Sequence, residues 1–156
     1  MSSPTGCEAD RLAARPLLVV DAANVVGSVP DGWWRRRAEA TELLRAALEP
    51  LAASGLSAAG LPEALVWLAG SPLEVVLVVE GAASGVTGTP AVRVVAARGS
   101  GDDAIVELVA AGGAGRRTAV VTADRALRSR VTGLGAAVVG PAALPRRARL
   151  PDRNRM

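Results

Sequence analysis

Acidic side chains recur at the far ends of apolar runs. Asp21 follows Leu17-Leu18-Val19-Val20, and Glu80 follows Val75 to Val79. Asp102 and Asp103 come after Val92 to Ala97 and a Gly-Ser-Gly turn, and Asp124 stands just past Val120-Val121. Carboxylates gathered in one place raise the cost of ionising each other, so a shared site must take up protons or a cation. With no His or Cys in the set, the donors are all oxygen and select a hard ion such as Mg²⁺ or Mn²⁺. Such ions activate water and stabilise charge on a phosphate in transfer, and ions paired about 3.5–4 Å apart are typical of nucleases. The pattern points to metal-assisted hydrolysis, with Asp21, Glu80, Asp102, Asp103 and Asp124 as candidate metal-holding groups. Taken singly, Asp102, Asp103 and Asp124 stand where helices begin and would serve as caps worth about 1 kcal/mol each. Capping alone gives no reason for acids on successive strands to share one edge.

The elements that must position these acids are legible from periodicity. Residues 17–21 are too short and too uniformly apolar for an amphipathic helix, as expected of a strand covered on both faces. Further strands are expected at 74–80, 92–97, 118–122 and 137–139. Helices are expected from about Trp33 to Ala53, over a short stretch from Pro62 to Ala69, after the Gly99-Ser100-Gly101 turn, and over about 124–133. Leu127, Val131 and Leu134 would form the core face of the last of these. Gly81 to Pro90, rich in Gly and without charge, reads as a flexible loop beside the acidic edge. Strands alternating with helices predict an α/β fold: a single-domain, doubly wound parallel sheet with right-handed crossovers. In such a sheet the strands' carboxyl ends share one edge, and ligands bind there where strand order reverses.

Composition narrows the chemistry. The 156 residues suit one domain, and Phe, Tyr, Lys, His and Gln are absent, so the core must be Val, Leu and Ala. Without His or Lys there is no histidine base, P-loop lysine or Schiff base. The lone Cys7 can make no internal disulfide and fits a reducing cytoplasm. No apolar run is long enough to span a membrane, and no signal peptide is read at the start. The expected organisation is a flexible leader over 1–15, the domain over 16–143, and a disordered basic tail over 144–156. That tail carries Arg146, Arg147, Arg149, Arg153 and Arg155 against Asp152, and would suit nucleic-acid phosphates.

Two further basic groups bear on substrate. Arg35-Arg36-Arg37 follows Trp33-Trp34: one Trp faces the core by spacing, while the other is available to stack on a base as Arg35 and Arg36 hold phosphate. A solvated basic face is the competing account. Arg125 and Arg128 lie beside Asp124, placed to pair with the acids or with substrate. Asn24 has an amide that could orient a water, a phosphate oxygen or Asp21, or serve a turn before Gly27. Gly99-Ser100-Gly101-Asp102-Asp103-Ala104 also matches a dinucleotide-binding pattern, but two carboxylates occupy the place a pyrophosphate would need.

An ordered set of motifs carries a resemblance: Val19-Val20-Asp21-Ala22-Ala23-Asn24-Val25, Gly101-Asp102-Asp103-Ala104-Ile105, and Val120-Val121-Thr122-Ala123-Asp124-Arg125-Ala126-Leu127. Together they resemble the NYN branch of the PIN-like nucleases, specifically the bacterial YacP-like members, over about Leu17 to Pro141. The resemblance implies a PIN-like fold and a metal-dependent ribonuclease or RNA-processing role. It makes Asp21, Asp102 and Asp124 metal-holding acids and Asn24 a positioning amide, with Asp103 at a position that is also acidic in similar proteins. Ala23 stands where relatives often carry an aromatic, and Glu80 where a shorter Asp is frequent. The reading is a divalent-metal-dependent endoribonuclease acting on RNA, with ribosome association and a homodimer as further expectations. The alternative is an RNA- or ribosome-binding module without catalysis, and a less favoured third is a small-molecule phosphohydrolase using the same ions.

Overall fold

The computed structural model describes residues 15–112 and 115–152. Cys7 and nearly all of the expected leader lie outside these residues, as do Arg153 and Arg155. The chain forms β1 (Leu17–Asp21), a short helix α1 (Ala22–Val26), α2 (Arg37–Leu48), α3 (Leu51–Ser54), β2 (Glu74–Val79), β3 (Val92–Ala96), α4 (Gly101–Ala111), β4 (Thr118–Val121), α5 (Arg125–Thr132) and β5 (Ala137–Val139). All five strands are parallel, in the order β3-β2-β1-β4-β5. The chain winds outward from β1 through β2 to β3 and then returns to place β4 on the other side of β1. Strand order therefore reverses between β1 and β4.

Alternation along the strands divides the interior into two layers. On one face Leu18, Val20, Val75, Leu77 and Val121 pack with Leu44, Leu48 and Leu51 from α2 and α3. On the other, Leu17, Val19, Val76, Val78 and Val120 meet Ile105 and Val109 of α4 and Leu127 and Val131 of α5. Every residue of β1 is buried, which is why this strand reads as a continuous apolar run rather than an alternating one. The expected single-domain α/β architecture, a parallel sheet with helices on both faces, is the one observed.

Several details depart from the sequence reading. The helix expected over 33–53 is three pieces: a 3₁₀ turn at Trp33–Arg35, then α2, then α3. Arg36 leaves helical backbone at φ −141°, ψ 51°, and Pro50 has no N–H with which to continue the ladder beyond α2. Gly55 ends α3 at φ 69°, where a Cβ would lie 2.5 Å from the Ser71 carbonyl oxygen. Leu134, expected in the core, is 49% exposed, because α5 stops at Thr132 and Leu134 falls in the turn that follows. The 81–90 segment is largely irregular, yet Ala83 and Val86 are buried and the Arg45 guanidinium donates to the Thr87 carbonyl.

The described part of the C-terminal segment is packed rather than free. Leu150 and Arg147 are buried, and the Arg147 guanidinium spans both oxygens of Asp31 at 2.8 and 3.0 Å. Its Nε and Nη2 also donate to the Val26 carbonyl at the end of α1, at 3.2 and 2.9 Å. The Leu150 N–H donates to Asp31 Oδ2 at 2.8 Å, and Arg36 Nη1 donates to the Pro151 carbonyl at 2.7 Å. A planar guanidinium that meets a carboxylate bidentately suits burial better than a lysine would. The run of arginines in the sequence does not reveal that one of them is internal.

Candidate functional site

Register and pleat bring the acids to one place. Val20 pairs with Val121, which puts Asp21 level with Thr122, and Asp21 itself pairs with Val78, two residues before Glu80. By alternation Asp21 and Glu80 emerge on the face that α4 and α5 cover. The N-terminal ends of those two helices carry Asp102 and Asp124. Four carboxylates from four separate segments are thus carried to the carboxyl edge where strand order reverses, the usual ligand position in this architecture.

Hydrogen bonds join the two sides of that reversal. The Thr122 hydroxyl donates to Asp21 Oδ2 at 2.9 Å, and its oxygen accepts from the Asp124 N–H at 3.1 Å. Asn24 Oδ1 accepts from the Ala123 N–H at 2.9 Å, so this amide ties α1 to the loop after β4. Of the roles open to Asn24, the described geometry supports a brace between the strand ends. Thr122 went unassigned in the sequence reading. Its signal was a hydroxyl closing an apolar strand directly before the Ala123-Asp124 pair.

Asp21 is only 6% exposed. Burial is the largest influence on its carboxyl and raises its pKa above the ordinary value, and the Asp102 and Glu80 charges add to the rise. The Thr122 hydroxyl and the Asn24 backbone N–H act in the opposite direction. The Asp102 carboxyl is also raised, first by desolvation and then by Asp124 and Glu80, with Arg130 opposing. Asp102 thus lies in the field of the other three acids, and among the described residues no arginine forms an ion pair with any of the four.

The pair at the start of α4 divides. Asp103 faces outward and forms an exposed ion pair with Arg130 of α5 at 3.0 Å, while Asp102 is the member that feels the other acids. Neither carboxylate caps the helix. The Ser100 hydroxyl does so, accepting from the Asp103 N–H at 3.2 Å. Asp124 does cap α5, its Oδ1 accepting from the Leu127 N–H at 2.9 Å. Glu80 accepts a hydrogen bond from the Gly101 N–H; a Cβ at Gly101 would stand 2.7 Å from that carboxylate oxygen, so a larger residue there would push the Glu80 carboxylate aside.

Among the described residues, no three Asp, Glu, His or Cys side chains are already gathered closely enough to hold a metal ion. The donor set nonetheless fits a hard divalent cation in kind: it is anionic, all oxygen, and only Arg130 acts against the mutual repulsion felt at Asp102. Mg²⁺ ordinarily keeps several waters and takes only one or two protein carboxylates, so a closed cage is not required.

The predicted arginines divide as well. Arg36 is taken up internally by Glu39 and the Pro151 carbonyl. Arg35 is exposed on the 33–37 segment, and Arg125 and Arg128 are exposed on α5 beside Asp124. Trp33 is the inward member of its pair, packed with Val26, Ala40 and Leu150, whereas Trp34 is 57% exposed. No described helix is long and apolar enough to cross a membrane.

No family model matches the chain, and no curated protein does. Among solved structures, a crystal structure of a mutant of Rae1 (YacP) from Bacillus subtilis matches with a TM-score of 0.60 and 20% identity, covering 82% of this chain and 71% of that one. The crystal structure of Rae1 (YacP) without that mutation matches with a TM-score of 0.60 and 19% identity, over 81% and 70% of the two chains. At such identity the likeness is one of fold: this chain shares the architecture of the Rae1 (YacP) structures.

Proposed function

We propose that this protein is a divalent-metal-dependent endoribonuclease that hydrolyses RNA phosphodiester bonds at the edge formed by Asp21, Glu80, Asp102 and Asp124. One observation carries the reading: a buried carboxylate, Asp21, whose charged neighbours are other carboxylates rather than a cation. A fold that concentrates negative charge in this way and leaves it unneutralised is prepared to hold a positive ligand. The shared architecture with the Rae1 (YacP) structures and the motif resemblance favour RNA as the substrate, and ribosome association follows from the same resemblance.

Asp21 and Asp102 would hold Mg²⁺ or Mn²⁺ with Asp124, and Glu80 would add charge from the side. The ion, when bound, supplies Lewis acidity at the phosphate and acidifies a water. The chain's own contribution is positional. Thr122 fixes the Asp21 rotamer through its hydroxyl, and Asn24 holds the loop that carries Asp124 against α1. Gly101 lets Glu80 brace the start of α4, which sets the position of Asp102.

Asp21→Asn and Asp124→Asn test the reading without disturbing the fold. Asn at 21 still accepts from Thr122, and Asn caps a helix about as well as Asp. Both variants are expected to lose at least about 10²-fold in cleavage of single-stranded RNA with Mn²⁺, the scale on which removing one preorganised electrostatic group acts. Cleavage equal to the unmutated chain in both would reject the proposal. A binding module without catalysis is the second reading, favoured by Glu80 and Asp124 each spending an oxygen on a backbone N–H. It is supported if the protein binds RNA and shows no turnover under any divalent ion.

A further inference from the structure

We infer that Trp34, Arg35 and Arg149 form a landing platform for single-stranded RNA beside the acidic edge, with Trp34 stacking on a base and the two arginines holding backbone phosphate. The inference rests on the RNA reading above and names where on this chain the polymer would lie. An edge carrying four carboxylates repels a polyanion, so a strand approaching it needs cations and apolar contact close by.

The 30–37 segment is built to supply both. Trp33 is fixed against Val26, Ala40 and Leu150 and carries the Arg37 guanidinium over its ring at 5.4 Å. Trp34 meets Trp33 in a T-shaped arrangement, centroids 6.2 Å apart and planes at 87°, yet it remains 57% exposed. A large aromatic held in place by a partly buried neighbour, while more than half of it faces water, is preorganised for a flat ligand.

Arg35 and Arg149 line a groove of about 610 Å³ between the Pro30–Gly32 turn and the C-terminal segment. Asp31 and Asp152 also border it, but the charge of Asp31 is already met by Arg147. Arg36, on the same groove, is committed to Glu39 and Pro151, whereas Arg35 is exposed and Arg149, also exposed, spends one Nη2 N–H on the Pro30 carbonyl at 3.3 Å and keeps its other donors for phosphate. The segment that carries the platform reaches one of the acids: Trp33 and Arg37, which flank Trp34 and Arg35, share a small cavity with Ala22, Ala23 and Glu80. The C-terminal basic segment thus takes part through Arg149, held in place by the Arg147–Asp31 clasp.

The test is fluorescence anisotropy with a labelled 12-residue oligouridine in EDTA, on the full chain, for Trp34→Ala, Arg35→Ala/Arg149→Ala and Arg125→Ala/Arg128→Ala. All of these positions are exposed, so the variants should fold, and Trp34→Phe adds a check because a ring is kept. Trp34→Ala is expected to weaken binding roughly tenfold, the size of one stacked base, with Trp34→Phe recovering much of the loss. Arg35→Ala/Arg149→Ala should reduce the salt dependence, log Kobs against log salt, by about 1.4, at ~0.7 for each phosphate contact on a single strand. Trp34→Ala with unchanged affinity, or loss confined to Arg125→Ala/Arg128→Ala, would overturn the platform. So would failure of the unmutated chain to bind the oligonucleotide, or concentration-dependent dimerisation abolished by Trp34→Ala, which would make this face a self-contact. Because EDTA removes any need for catalysis, the readouts separate. Absent turnover with an intact Trp34 effect rejects the nuclease and supports the platform, while normal turnover with no Trp34 effect does the reverse.

Discussion

Asp21 and Asp31 lie ten residues apart on either side of α1, and both are almost removed from solvent, Asp21 at 6% and the Asp31 side chain at 3% exposure. They differ in what surrounds them. Asp31 is grasped by Arg147 and receives the Leu150 N–H, and these bonds hold its pKa down at about 2. The pKa of Asp21 is raised by burial and by Asp102 and Glu80, and its carboxylate receives only the Thr122 hydroxyl and the Asn24 backbone N–H in opposition. The same residue type thus meets two different surroundings. Where the chain needs a clasp, it neutralises the charge from within. At Asp21 the charged neighbours are instead other carboxylates.

Breaking the clasp should have the largest effect. Arg147→Met leaves Asp31 buried without its cation and is expected to cost about 3–5 kcal/mol in urea unfolding. Arg147→Met/Asp31→Leu, which removes both charges, should recover more than half of that loss. A loss below about 1 kcal/mol for the single variant would mean that the pair is not the anchor of the C-terminal segment.

The complementary experiment adds the missing charge at Asp21. Mg²⁺ or Mn²⁺ at about 100 times its dissociation constant should stabilise the unmutated chain by ~2.7 kcal/mol, and Asp21→Asn should lose most of this gain. Without metal the order reverses. A raised folded pKa means that ionised Asp21 opposes folding above that pKa, so Asp21→Asn should melt at a higher temperature near neutrality. Equal melting temperatures and equal metal response in the two proteins would show that Asp21 needs no external cation.

Acid titration sharpens the contrast. Asp31 has a lowered folded pKa, so its contribution is fully present above about pH 4 and disappears as pH falls through about 2. After allowance for screening this amounts to about 1–2 kcal/mol, visible as acid destabilisation that is missing in Arg147→Met. Asp21 moves the other way, since protonation relieves it. The smallest effect concerns the helix starts: Ser100→Ala should cost about 1 kcal/mol as a lost cap, while Asp124→Asn should be near neutral in urea unfolding.

Much of the architecture was legible in the chain. Short apolar runs at 17–21, 74–80, 92–97, 118–122 and 137–139 became five parallel strands with ends shifted by at most a residue. Strands covered on both faces leave a signal that few other elements share. The acids were legible as a set because each ends such a run. Their individual duties were not: Ser100 rather than an Asp caps α4, Asp103 turns out to Arg130, and Thr122 links Asp21 to Asp124. Periodicity tells which face a residue is on, but not which neighbour its oxygen finds.

The sequence by itself determined the class of fold, the edge at which charge would collect and the exclusion of histidine and lysine chemistry, because these depend on local periodicity and composition. Tertiary structure alone decided that β4 returns beside β1, bringing Asp124 toward Asp21 through Thr122. It alone took one arginine from a basic run and buried it on Asp31. Both outcomes depend on contacts between residues about a hundred positions apart, whose energies exist only after the sheet has closed.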